Sequence, residues 1–189
     1  LIDSYYEIIE PLLTEPIVFA GESMSRDDLT QLMAKIIRQS MDADIGFTNS
    51  GGTRASIEYN TPITVATLYQ VFPFDNHIIT VRLTGEVVNQ LLSRYSTVEY
   101  HIRDGITTFD DEEVYLVATQ SYMFFTNSSF YNGDDIVETN YYMRDLLELA
   151  LREHAKLDDT FYLSDPLMIP LTSSYFKYML KEEQPYMYI

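Results

Sequence analysis

Asp44-Ile45-Gly46-Phe47-Thr48-Asn49-Ser50-Gly51-Gly52-Thr53-Arg54-Ala55 begins as a strand and breaks on a pair of glycines. Asp44 to Thr48 is apolar enough for a brief strand, and the adjacent glycines that follow permit backbone conformations closed to other residues. The end of the strand therefore delivers the Asn49 amide, exposed backbone N–H groups and the Arg54 guanidinium to one loop. An anionic or polar ligand can be held by such a set. The plainer alternative is a Gly-Gly turn beside a surface arginine.

Upstream of this loop, Ser25 is placed as the N-cap of a helix, with Asp28 three positions on. Leu29, Leu32, Met33, Ile36, Ile37 and Met41 then repeat at helical spacing. Before it, residues 17–20 read as a short strand and residues 1–13 as a helical stripe ended by Pro11 and Pro16. Downstream, Thr64 caps a short helix through Tyr69, Asn76 to Thr84 reads as a strand and Gly85 to Tyr95 as a helix. Val114 to Ala118 reads as a strand, Tyr122 to Gly133 as a loop, and Tyr142 to Lys156 as a helix. The irregular alternation predicts an α+β (mixed α/β) fold, a mixed sheet flanked by helices. With no repeat and no Pro/Gly/Ser linker, residues 1–189 are expected to form a single domain. The first residue is Leu1 and helical pattern begins at once, as in a fragment cut from a longer protein.

A chain of 189 residues buries roughly 70% of its unfolded surface, enough for a core without metals or disulfides. The 16 Tyr and 10 Phe argue against disorder. The formal charge of −17 repels phosphodiester backbones and anionic lipid, so no nucleic acid partner is expected. A small anion remains admissible, because local donors decide its site. No apolar run is long enough for a membrane span, and the absence of Cys excludes thiol chemistry and thiolate metal sites.

The familiar phosphate-loop, dinucleotide, zinc-protease and serine-hydrolase motifs are absent. Asp42 to Gly46 resembles a calcium loop only superficially, lacking the ligand spacing and the distal Glu. His77, His101 and His154 are far apart in sequence and read as structural or surface histidines, and the acidic runs at 110–113 and 158–159 as solvated faces. A second purposeful segment is Phe72-Pro73-Phe74-Asp75-Asn76, an aromatic at a rigid turn before a strand, with core packing as its alternative.

Taken in order, these segments resemble the 5′-nucleotidase family, which includes UDP-sugar hydrolases and 2′,3′-cyclic nucleotide phosphodiesterases. Asp44 to Ala55 is similar to that family's "ADIALTNGGGIRA". Pro62-Ile63-Thr64 with Leu68 to Asn76 is similar to "ITWGDLYEVLPFGN", and Val81 to Gly85 to "VELTG". Val117 to Tyr122 resembles "VATNDYLA" and Tyr142 to Leu147 "TMRDALIEY". The likeness runs from about residue 25 to residue 154 and concerns the family's C-terminal, substrate-binding domain.

The resemblance implies a partner domain, an N-terminal metallophosphoesterase holding two divalent metal ions, whose signatures are absent here. The fragment is expected to bind no cofactor and to hydrolyse nothing alone. The full-length protein is expected to be a nucleotide phosphohydrolase, extracellular, periplasmic or at the cell surface. By the same likeness Phe74 and Tyr122 sandwich a base, while Asn49, Gly51, Gly52 and Arg54 contact base or ribose and phosphate. Arg26 lies near a further phosphate arginine of the family but one residue out of register. The family's "GGDGF" loop, whose Asp takes the ribose hydroxyls, reads Thr126-Asn127-Ser128-Ser129-Phe130, with Ser128 in place of the carboxylate. A shifted alignment would bring Asn132-Gly133-Asp134 there instead. That change keeps open a non-catalytic ligand-binding or surface interaction domain.

Overall fold

A computed structural model describes residues 10–94 and 98–169. The expected features at residues 1–9, at Tyr95 and in the C-terminal tail from residue 170 lie outside the described residues. In chain order the elements are β1 (Val18–Ala20), α1 (Arg26–Ser40), β2 (Ile45–Asn49), β3 (Pro62–Ile63), α2 (Val65–Val71), β4 (His77–Thr84) and α3 (Gly85–Arg94). They continue with β5 (Val98–Ile102), β6 (Val114–Gln120), α4 (Ser121–Thr126), β7 (Asp134–Tyr142), α5 (Met143–His154) and β8 (Thr160–Phe161). Short 3-10 turns follow β2 at Ser50–Gly52 and α4 at Ser128–Asn132.

The helices start where the sequence offers caps. Ser25 Oγ accepts from the Asp28 amide at 3.2 Å, and the Asp28 carboxylate accepts from the Ser25 amide at 2.9 Å. The Ser25 hydroxyl and amide hold the Asp28 carboxyl below its ordinary value. Thr64 and Thr67 repeat the arrangement at α2.

Five strands form one mixed sheet in the order β5-β2-β6-β4-β7, and a smaller sheet has the order β3-β1-β8. In the larger sheet β2 and β6 are parallel, with Phe47 opposite Thr119, and the other pairs are antiparallel. Alternation divides the core. Ile45, Phe47, Ile79, Val81, Leu83 and Val117 face Val88, Leu91, Phe124 and Phe130. Ile78 and Ala118 join the core of α1 and α5, with Met33, Ile37, Leu147 and Ala150. Gly46 seats α1 closely: a Cβ there would lie 2.6 Å from the Ala34 carbonyl oxygen and 2.7 Å from the Arg38 amide nitrogen. The architecture is the mixed α/β fold expected, with a mixed sheet flanked by helices.

Local differences have physical causes. Residues 10–14 are helical, so Pro11 sits inside the turn and the helix stops before Pro16. The segment expected as a loop over residues 122–133 contains α4 and a 3-10 turn, because Gln120 supplies a cap that composition does not advertise. β7 has no counterpart among the expected strands. It is a mostly exposed edge strand with two irregularities in its pairing to β4, so no apolar alternation marks it. β5 is the opposite edge, and β3 and β8 are two-residue strands.

Candidate functional site

The parallel strands β2 and β6 end at Asn49 and Gln120, and the antiparallel β4 begins at His77, with Ile78 opposite Gln120. The turns that follow β2 and β6 and the turn that precedes β4 therefore meet at one end of the sheet. Sheets with parallel strands characteristically receive ligands at these carboxyl ends. Asn49, Gly51, Gly52, Arg54, Phe74 and Tyr122 belong to these three turns.

Asn49 closes β2 and lays its amide across the glycine turn. A Cβ on Gly51 would lie 3.1 Å from Asn49 Nδ2, and one on Gly52 would lie 3.5 Å from Asn49 Oδ1. The turn is anchored by long-range bonds: Arg54 N donates to Val71 O at 2.8 Å, and the Thr53 and Thr30 hydroxyls pair at 2.7 Å. Arg54 is exposed, and its guanidinium carbon stands 5.5 Å from the centre of the Phe74 ring, within cation–π range. Thus a cation and an aromatic face share one edge of the turn. Arg26, out of register in the family likeness, donates Nε to Thr53 O at 2.9 Å and brings a second guanidinium to the same turn. Its first-turn position on α1 supplies the signal, since α1 packs beside β2.

Phe74 and Tyr122 are 43% and 56% exposed, and among the described residues their rings make no contact with each other. Their supports do meet, because the Ser121 hydroxyl lies 3.3 Å from Asn76 Oδ1. The site is an open face with two apolar rings. A narrow apolar crevice lined by Met24, Leu29, Ile57, Leu147 and Phe161 lies within the α1/α5 core and contains none of these residues.

Two further residues organise this end. Gln120 is buried; its Nε2 donates to Asn49 Oδ1 at 2.7 Å and its Oε1 accepts from the Tyr122 and Met123 amides at 2.7 and 3.3 Å. Arg144, also buried, donates to Phe72 O at 2.8 Å and to the Asp75 carboxylate at 2.5 Å, and its guanidinium carbon lies 3.6 Å from the centre of the Tyr69 ring. It pins the turn that carries Phe74. Beside it, burial pushes the Asp145 carboxyl up to about 6 against the pull of Arg144, with Glu148 and Asp75 adding to the rise. Gln120 and Arg144 stand inside the quoted motifs, but only their partners reveal the work they do.

Ser128 lies apart. It is exposed, at the start of the 3-10 turn, and among the described residues no hydrogen bond, ion pair or ring contact joins it to Asn49, Arg54, Phe74 or Tyr122. Nor does Asp134 take that place. It pairs in register with Arg82, five residues along β4 from the His77 end, a separation of about 17 Å.

The histidines are held within the fold: His77 Nε2 lies 2.6 Å from Glu138 Oε1, His101 Nδ1 accepts from Arg38 Nε at 3.1 Å, and His154 Nε2 lies 2.9 Å from Thr160 O. Burial, then Arg38 and Lys35, keep His101 below its ordinary value. Among the described residues, no group of three or more His, Asp or Glu is placed to hold a metal ion.

Comparison with known proteins bears on the family likeness and the fold. The model of a family described as 5′-nucleotidase, C-terminal domain, matches residues 17–107. A crystal structure of a 5′-nucleotidase precursor from Thermus thermophilus superposes with a TM-score of 0.69 and 18% identity over 85% of this chain and 40% of that one. The NAD nucleotidase of Haemophilus influenzae gives 0.64 and 16% over 88% of this chain and 39% of its own. Among curated proteins, the endonuclease YhcR of Bacillus subtilis (strain 168) is 29% identical over 123 residues, which is 59% of this chain and 10% of that protein. The chain thus spans a minor part of each of these relatives.

Proposed function

We propose, from the match of residues 17–107 to the 5′-nucleotidase C-terminal domain model, that residues 1–189 form the nucleotide-gripping domain of a two-domain, metal-dependent phosphohydrolase. Its substrate class is a nucleoside phosphate, of 5′-nucleotidase or 2′,3′-cyclic nucleotide phosphodiesterase type. The observation that carries the reading is the Arg54 guanidinium 5.5 Å from the Phe74 ring, on a glycine turn whose Asn49 is bonded through Gln120 to the base of Tyr122.

In this reading the base stacks on Phe74 and Tyr122, for every nucleobase offers a π face. Arg54, with Arg26 beside it, meets the phosphate through charge-assisted bonds, and the glycines let the backbone approach the ligand. The domain supplies grip and orientation. Two metal ions, which would activate water in a neighbouring N-terminal metallophosphoesterase domain, do not fit the donor sets described here. In this reading the fragment hydrolyses nothing without that neighbouring domain, and the whole enzyme is extracellular, periplasmic or at the cell surface. No helix among the described residues is long and apolar enough to cross a membrane.

A second reading, a binding module without turnover, is favoured by one observation: no carboxylate stands where the family's ribose contact is expected, and Ser128 faces solvent. Titration with AMP and adenosine, followed by amide chemical shifts, tests the leading reading. AMP is expected to bind more tightly than adenosine, and Arg54→Ala to erase most of that difference, about tenfold. Unchanged spectra at millimolar AMP would remove the nucleotide-gripping role.

A further inference from the structure

We propose that Gln120 is a positioning residue that fixes the polarity of Asn49, so that the site presents a hydrogen-bond donor, and never an acceptor, to the edge of the stacked base. The inference rests on the nucleotide reading and names what that site selects: a ring edge carrying an acceptor beside Tyr122.

The argument is one of satisfiability. Gln120 Oε1 lies 2.7 Å from the Tyr122 amide and 3.3 Å from the Met123 amide, both of which can only donate. That assigns the orientation of the Gln120 amide without reference to anything else. Its Nε2 must then donate, and the atom 2.7 Å away on Asn49 must be the carbonyl oxygen. Asn49 is thereby fixed in turn: its Oδ1 is engaged and its Nδ2 is bonded to no acceptor among the described residues. Nδ2 lies on the glycine turn, 3.1 Å from where a Cβ of Gly51 would stand, so a side chain at position 51 would crowd the donor. Gln120 is 1% exposed, so no bulk water competes for its amide or reorients it.

The same side chain caps α4, whose second residue is Tyr122. One buried amide therefore sets both the donor and the ring it accompanies. Because Gln120 bonds both Asn49 and the Tyr122 amide, the proposal brings the edge of a ring stacked on Tyr122 to Asn49 Nδ2, where an acceptor gains a bond and a donor would meet a donor. The discrimination comes from leaving one group unpaired.

The test compares adenosine with its 1-deaza, 3-deaza and 7-deaza analogues, each of which lacks one ring-nitrogen acceptor and keeps the π face. One analogue is expected to bind the wild-type chain roughly five- to tenfold more weakly than adenosine. In Gln120→Glu the carboxylate still caps α4 but can only accept from Asn49. The Asn49 amide then turns over, and the discrimination collapses to less than twofold. Asn49→Asp keeps the Gln120 bond, removes the donor and is expected to give the same collapse, which guards against a fold defect in the first variant. Discrimination that survives in both variants, or that is absent from a wild type that binds adenosine, overturns the role of Gln120 and leaves the nucleotide reading standing.

If no nucleoside binds, the nucleotide reading falls, and the clamp is still decided by the free chain. The Asn49 side-chain amide protons are expected to shift downfield and to become protected from exchange in Gln120→Glu, where one of them meets a carboxylate. Unmoved resonances would overturn the clamp.

Discussion

The turn at residues 49–54 and the segment at residues 126–133 both lie beyond strands of the parallel pair β2 and β6, yet they are tied down differently. The first is bonded to residues distant in sequence: Asn49 to Gln120, Thr53 to Arg26 and Thr30, and Arg54 to Val71. The second is bonded mainly to itself. Asn127 Oδ1 accepts from the Ser129 amide, Phe130 N donates to Asn127 O, and Thr126 Oγ1 donates to Tyr122 O. Phe130 anchors it to the core, but its polar groups remain turned to solvent or to near neighbours. Long-range bonds place a side chain relative to the whole fold, whereas local bonds place it relative only to its own loop. On the proposed nucleotide reading, the contrast predicts that base and phosphate are specified more firmly than sugar.

The strongest way to break this contrast is to cut the support under Phe74. Arg144→Met keeps the apolar stem but leaves Phe72 O unpaired and frees Asp75. Loss of stability by about 2 to 3 kcal/mol is expected in urea unfolding. Nucleoside affinity should fall with it, because the Phe72–Asn76 turn loses its pin. Full stability in this variant would mean that the turn stands without long-range bonding, and the contrast with residues 126–133 would lose its basis.

Phe74→Ala acts on the same turn from its exposed side. Stacking is worth about 1 to 3 kcal/mol per base, so adenosine should bind roughly thirtyfold more weakly, as read by chemical-shift titration. Stability should stay within about 0.5 kcal/mol, since the ring is 43% exposed. An unchanged affinity would return Phe74 to a packing role.

How much of this can be read in advance follows the same division. The cap Ser25, the helix behind it, the strand before Asn49 and the turn at Phe74 are all legible, because capping chemistry, apolar periodicity and glycine pairs are local signals. β7 is not: residues 134–142 are largely exposed along an irregular edge, and their pairing partner lies more than fifty residues away. Gln120 and Arg144 are visible as letters within motifs, but a buried amide or guanidinium declares its role only through partners about seventy residues distant. Ser128 is the reverse case. Its place in an alignment implies a sugar contact, while its own loop carries it to solvent.

Asp145 sharpens the comparison through pH. Its folded value of about 6 exceeds the ordinary 3.8, chiefly because it is buried. Between these values the native state holds a proton that the unfolded chain releases, so this group lowers stability as pH rises from about 4 to about 6. The penalty is fully present above that window, at most about 3 kcal/mol. Asp145→Asn should therefore be the more stable protein at pH 7, by about 1 to 2 kcal/mol after allowing for a favourable carboxylate in the first turn of α5. The difference should vanish near pH 4. Unfolding curves of the two proteins at pH 4 and pH 7 measure it, and equal differences at both would show that Asp145 is not destabilised by its site.

The smallest expected effect falls on the other region. Ser128→Ala should change adenosine affinity by less than twofold, since the side chain contacts none of the residues at the sheet end. The more telling variant is Ser128→Asp, which restores a carboxylate at the position where the family likeness expects the ribose contact. If the segment is placed only by its own local bonds, the new carboxylate stays in solvent, and adenosine and 2′-deoxyadenosine bind alike to both proteins. A gain of tenfold or more for the riboside alone would require residues 126–130 to close over the ligand. In that case ligand would supply the long-range bonds that the free chain lacks, and the two regions would act as one site.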